Sequence, residues 1–167
     1  LWDGTAPGSE ARPERTTGAT RAALAEARVS AFAGLGDLGS AFSAGDGMAA
    51  LRAALGQLES GHDPFLDRYR LTGAAAVFVS AWARLRLGQD PVPPDPSLGH
   101  ASDYLRMSAG GSPADPLRCA ALDAYLVTVI DHGMNASTFA ARVVASTDSD
   151  VVSAVTAAVC ALKGPLH

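Results

Sequence analysis

The stretch "VIDHGMNASTFAARV", residues 129–143, decides how this chain is read. An apolar run ends in a polar knot, Asp131-His132-Gly133-Met134-Asn135, and a second helical run follows at once. A turn between two packed helices needs a residue free to take a left-handed backbone and a capping side chain. Gly133 supplies that freedom, so the acid, the imidazole and the amide of Asp131, His132 and Asn135 crowd into five residues more than a plain turn asks for.

The flanks are helical. Asp115 followed by Pro116 predicts a helix start, with the acid as N-cap and proline at the first helical position. This helix runs through Leu117, Ala121, Leu122, Tyr125, Leu126, Val129 and Ile130. Its apolar residues cover most of the circumference, so it is expected to be buried. The next helix carries Phe139, Val143 and Val144. Asp150 caps another, with Val151, Val155, Ala158, Val159 and Leu162 facing inward, and Gly164-Pro165 stops it.

Further upstream the pattern remains helical. Residues 1–17 are rich in Gly, Pro, Ser and Thr and read as a loop. A helix is predicted over Ala19–Leu35, with a break near Val29-Ser30, and a loop over 36–47. Met48–Ser60 is a short amphipathic helix with Leu51, Leu55 and Leu58 on one face. Asp67–Gly88 is a longer helix, residues 89–97 a Pro-rich loop, and residues 98–111 a helix closed by glycines. No stretch reads as a strand and no repeat is present. The expected class is all-α, in one domain spanning 1–167.

Composition narrows the function. Apolar residues make up 48% of the 167, enough for a sizeable core. A formal charge of -4 leaves no footprint for general nucleic-acid binding. The longest apolar run, Gly73–Ala83, is too short to span a bilayer, and nothing reads as a signal peptide, so the expected location is cytoplasmic. Cys119 and Cys160 belong to no CxxC pair and read as reduced core thiols.

Several motifs dissolve on inspection. "GLGDLG", residues 34–39, matches GxGxxG but lacks the preceding strand that a dinucleotide site requires, and reads as a loop. "NAS", residues 135–137, matches a glycosylation acceptor between helices expected to be buried. "DSD", residues 148–150, is a cap rather than a calcium loop. No GxSxG is present. Among the four histidines no pair has helical metal-site spacing. His62 reads as a solvated loop residue and His100 as a surface or capping residue. His132 and His167 each stand where a helix expected to be buried ends beside a glycine.

Taken in order, "DHGMNASTFAARVVAST" and, one helix later, "ALKGPLH" resemble the signature of the citrate synthase family. The branch most similar is the bacterial one that includes 2-methylcitrate synthases and second citrate synthase homologues. "HASDYLRMSAGGSP" resembles a further family segment, and "LWDGTAPG" the start of an early loop. Residues 98–167 carry the signature, and the likeness is weaker before them. Asp103-Tyr104-Leu105 stands where the family has Asn-Phe-Leu.

The resemblance implies the helical large domain of the citrate synthase fold, incomplete, with the small domain absent and both ends cut. It implies an acyltransferase that condenses acetyl-CoA or propionyl-CoA with oxaloacetate, forms a carbon-carbon bond and releases CoA, with no metal or bound cofactor. His167 matches the catalytic histidine that hydrogen-bonds the thioester carbonyl, and His132 the histidine that contacts oxaloacetate. Asn135 and Ser137 match site-lining positions that orient the catalytic ring. The family's second histidine, its proton-abstracting aspartate and its carboxylate-binding arginines all lie beyond Gly-Pro-x-His. The fragment is therefore expected to be inactive, its parent a homodimer joined through the helices of 115–146. The alternative is a helical dimerisation module, or a homologue, without activity.

Overall fold

The computed structural model describes residues 17–61, 63–130 and 133–167. Seven α-helices and one 3-10 segment are found among them, and no strand. Their order is α1 (Thr17–Ala33), the 3-10 segment (Leu35–Ser43), α2 (Gly47–Leu55), α3 (Pro64–Leu85), α4 (His100–Ser108), α5 (Pro116–Thr128), α6 (Ala136–Ala145) and α7 (Val151–Leu162). The all-α expectation holds.

Side-chain caps set most of the helix starts. Asp46, Asp63, Asp115, Asn135 and Asp150 each accept a hydrogen bond from a backbone N–H in the first turn of α2, α3, α5, α6 and α7 respectively. Each fills a donor the helix cannot satisfy internally, worth about 1 kcal/mol. Pro64 and Pro116 add a preset φ at the first turn of α3 and α5. Gly110 and Gly111, with φ of 79° and 92°, turn the chain after α4.

The core forms around α3, which buries Leu71, Ala74, Val77, Phe78 and Ala81. α1, α2, the 3-10 segment, α4 and α7 all pack against it. Leu38, Leu55, Met107, Val152 and Val159 close the cluster. Phe42 meets Phe78 edge to face, with ring centroids 6.0 Å apart.

The crossing of α1 and α3 depends on Gly73. A Cβ there would sit 2.6 Å from the Ala27 Cβ and 2.9 Å from α1 backbone atoms. Backbone cannot swing aside as a side chain does, so Gly73→Ala must separate the two helices. The expected loss is about 1–3 kcal/mol by urea denaturation. Gly36→Ala, where nothing lies within 4 Å, is the control. Equal effects at the two positions would contradict this packing.

Several expectations change. α1 runs unbroken through Val29-Ser30. The predicted loop at 36–47 is largely 3-10 helix, because Leu38 and Ala41 are drawn into the core. Gly34–Gly39 lies across the end of α1 and this segment, with no strand before it. α2 stops at Leu55, and α3 begins at Pro64 on the Asp63 cap. Cys160 is exposed and Cys119 half-buried, so neither is a core thiol, though both are free. Leu162 is exposed, while Val152 and Ala154 of α7 are buried. Asp148-Ser149-Asp150 supplies the α7 cap as expected. The readings of 1–16 and His62 lie outside the described residues.

The largest correction concerns α5. The sequence predicts burial, yet α5 contains no buried residue, and Leu117, Tyr125 and Val127 are each more than 60% exposed. It packs against α4 alone among the described helices. Most of its apolar circumference is therefore left uncovered by the other described helices. Beneath it, Leu122 and Leu126 face Leu51, Ala76 and Val155 across an apolar groove of about 660 Å³. No helix among the described residues is long and apolar enough to cross a membrane.

Candidate functional site

The open end of the α6–α7 hairpin holds three of the four predicted site residues. α6 has 10 residues and α7 has 12, so they rise about 15 and 18 Å. Packed against each other across a short connection, they return the chain almost to its starting level. A turn then closes with the His167 N–H donating to the Gly164 carbonyl at 3.1 Å. This places the ring of the last residue over the first turn of α6.

There His167 Nε2 lies 3.0 Å from Ser137 Oγ. Ser137 Oγ lies 2.8 Å from Asn135 Oδ1, which also accepts from the Thr138 backbone N–H at 2.9 Å. The "NAS" triplet is thus a cap and a relay. Asn135 Oδ1 caps the start of α6 and accepts from the serine with the same atom. His167 is exposed, while Ser137 and Asn135 are half-buried. Of the four predicted site residues the structure brings three together. The fourth, His132, lies outside the described residues, as does Asp131.

A second polar cluster went unremarked in the sequence. Arg28 and Asp103 are both 0% exposed. Arg28 Nε donates to Asp103 Oδ2 at 2.7 Å, and Arg28 Nη2 to the Leu98 carbonyl at 3.0 Å. Asp103 Oδ1 accepts from the Asp95 N–H at 3.0 Å and from Arg106 Nη2 at 3.0 Å. One carboxylate so ties α1, the Pro-rich loop and α4 together. The available signal was an arginine within an Ala-rich run and the Asp103 departure itself. Neither names its partner.

His100 belongs to this cluster, which overturns its reading as a surface or capping residue. Gly99 occupies the N-cap position of α4, and no side chain caps it. Arg28 Nη1 lies 3.3 Å from His100 Nδ1. Arginine only donates, so Nδ1 accepts and the ring is neutral. Burial first, and then the Arg28 charge, pull the His100 pKa down to about 4, against the opposing pull of Asp103 and Asp123.

The pH consequence follows in sign. Above pH 6.5 the ring is neutral folded or unfolded, and stability is undiminished. Between pH 6.5 and about 4 only the unfolded chain takes up the proton, so stability falls as pH falls. The fall attributable to His100 is at most on the order of 3 kcal/mol. Denaturant midpoints at pH 7.5 and 4.5 should separate more in the wild type than in His100→Asn, whose amide oxygen can replace Nδ1. The same separation in both proteins would contradict the assignment.

Among the described residues no three His, Cys, Asp or Glu side chains could hold a metal ion. The polar end of the hairpin therefore offers hydrogen-bond donors and acceptors. The positive end of the α6 dipole adds a local preference for anions.

Comparison with known proteins agrees with the signature. The family model described as "Citrate synthase, C-terminal domain" matches residues 1–167. The citrate synthase of Mycolicibacterium smegmatis is 46% identical over 98 residues, which are 59% of this chain and 26% of that protein. A 2-methylcitrate synthase of Mycobacterium tuberculosis is 43% identical over 98 residues, 59% of this chain and 25% of that protein. The solved citrate synthase of Thermoplasma acidophilum, a ternary complex with carboxymethyl coenzyme A and oxaloacetate, superposes with a TM-score of 0.76 at 25% identity. That superposition covers 92% of this chain and 43% of the solved one.

An all-helical chain of this order, with a histidine returned to a capped helix start, belongs to the citrate synthase family. The matched 98 residues cover about a quarter of the length of the curated relatives described above.

Proposed function

We propose that this chain is part of an enzyme that condenses acetyl-CoA or propionyl-CoA with oxaloacetate, forming a carbon-carbon bond and releasing CoA. The observation that supports it is the His167–Ser137–Asn135 relay at the hairpin end, in a chain of this family. Enolisation of an acyl thioester builds negative charge on its carbonyl oxygen. A fixed donor at that oxygen lowers the barrier, and His167 takes this role. Asn135 and Ser137 orient the ring, and His132 contacts oxaloacetate. No metal or bound cofactor takes part.

Residues 1–167 form most of the large helical domain, with the signature in 98–167. The aspartate that removes the methyl proton, a role carboxylates fill well, lies in sequence beyond His167. The 167 residues alone then do not turn over. The enzyme is cytoplasmic and works as a homodimer. The apolar, uncovered surface of α5 supports burial of 115–146 against a partner subunit. That same surface favours the second reading, a helical dimerisation module without activity.

The test is product analysis. The protein continued through the coding sequence beyond His167 is given oxaloacetate with acetyl-CoA or propionyl-CoA. The proposal expects citrate from the first or 2-methylcitrate from the second, with one CoA thiol released per product. A folded, dimeric protein that makes neither supports the module instead.

A further inference from the structure

The turn that carries His167 stands on a sparsely held helix end. Val159 is the last buried residue of α7, and residues 160 and 162–167 are exposed. Among the described residues two side-chain bonds hold this end. One joins His167 to Ser137 of α6. The other joins Lys163, the C-cap of α7, to Asp46, with Nζ 2.6 Å from Oδ2. A cation at a helix C-terminus is also favoured by the dipole.

Asp46 is itself firmly placed. Its Oδ1 accepts from the Met48 N–H at 2.9 Å as the cap of α2, which leaves Oδ2 for the lysine. The corner around it is seated on α3. Trp82 Nε1 donates to the Ala44 carbonyl at 2.9 Å, and a Cβ at Gly47 would lie 2.9 Å from the Trp82 ring. One carboxylate thereby joins a corner fixed to the central helix with the end of α7. The hydrogen bond from Lys163 is the leading cause that holds the Asp46 carboxyl below its ordinary pKa.

We propose that the Asp46–Lys163 pair clamps the last turn of α7 and so positions His167 from the α2 side. The Gly164 N–H donates to the Ala161 carbonyl at 3.0 Å, and the His167 N–H to the Gly164 carbonyl at 3.1 Å. The turn is therefore built directly on the end of α7 and moves with it. Asp46 and Lys163 are positioning residues in this scheme. Its catalytic meaning rests on the condensing role proposed above, where a donor displaced from the reacting oxygen loses rate.

The experiment first reads the clamp without substrate, by amide hydrogen exchange on the 15N-labelled 167-residue chain. Lys163→Met keeps an unbranched stem and removes the charge. Asp46→Asn removes the other charge and keeps the cap of α2. Each should speed exchange at position 163 and at Gly164 by about two- to fivefold, the range an exposed ion pair allows. The amides of Val155 and Thr156 in mid-helix, and the urea midpoint, should stay nearly unchanged. The double variant should exchange no faster than either single one, and Lys163→Arg should hold the wild-type rate. Sodium chloride screens the pair, so it should move the wild type toward the variants and leave the variants in place. In the protein continued beyond His167, Lys163→Met and Asp46→Asn should lower kcat about two- to fivefold with the KM for oxaloacetate unchanged, and Lys163→Arg should restore it.

Wild-type exchange at position 163 and Gly164 in both single variants overturns the proposal. So do additive effects in the double variant, or a kcat that stays put while the amides loosen. The exchange result does not depend on condensation. An inactive homologue can show the clamp, and an active enzyme can lack it, so the two proposals fail separately.

Discussion

Asp103→Ala is expected to cost about 3–5 kcal/mol, enough to bring an ordinary domain close to unfolding. The reason lies in what remains. Arg28 is fully buried, and without the carboxylate its charge has only the Leu98 carbonyl and the His100 ring as acceptors. Arg106 and the Asp95 N–H lose their acceptor in the same step. An uncompensated buried charge is far more damaging than the loss of the pair itself. The double variant Arg28→Met with Asp103→Leu should therefore recover part of the stability that Asp103→Ala removes, the Arg106 and Asp95 donors still lacking their acceptor. Asp103→Asn should fall between, since its amide oxygen keeps one acceptor. Urea denaturation of the four proteins decides the matter. A loss below about 1 kcal/mol for Asp103→Ala would show that the pair is not what holds α1 to α4.

His167→Ala bears on activity rather than stability. The ring is exposed and meets Ser137 at the hairpin end, so its removal should leave the folding midpoint nearly unchanged. In the protein continued beyond His167, however, it deletes the proposed donor to the thioester oxygen. Loss of one such donor lowers kcat by about 10²–10³-fold. Thiol release at saturating oxaloacetate and acyl-CoA measures this. A fall in stability with little change in kcat would make His167 a structural terminus. A fall in kcat alone supports its place at the reacting carbonyl.

Helix starts were legible because their chemistry is local. Asp115-Pro116 and Asp150 cap the helices they were expected to cap, and Asn135 caps α6 two residues from the glycine that allows the turn. The meeting of His167, Ser137 and Asn135 was legible only through the family signature. Thirty residues separate the ring from the hydroxyl, and no helical period reports that distance.

Asp103 shows the opposite case. Its departure from the family pattern was visible, but its meaning lies in Arg28, 75 positions away, in a helix rich in alanine. His100 was misread for the same reason. α5 was misread through a sound rule applied to an unknown boundary. An apolar circumference predicts a buried helix, but not which polypeptide buries it. The 3-10 segment was missed because glycines and serines mask the two residues, Leu38 and Ala41, that anchor it.

The central claim is that this chain supplies one wall of a condensing site and the proton-abstracting group lies beyond it. Thiol release from acetyl-CoA and propionyl-CoA in the presence of oxaloacetate tests it most directly. The assay is run on the 167-residue chain and on the protein continued past His167. The account predicts no turnover by the first and oxaloacetate-dependent turnover by the second. Turnover by the 167 residues alone would contradict the placement of the base, and a folded but inactive longer protein would contradict the condensing function.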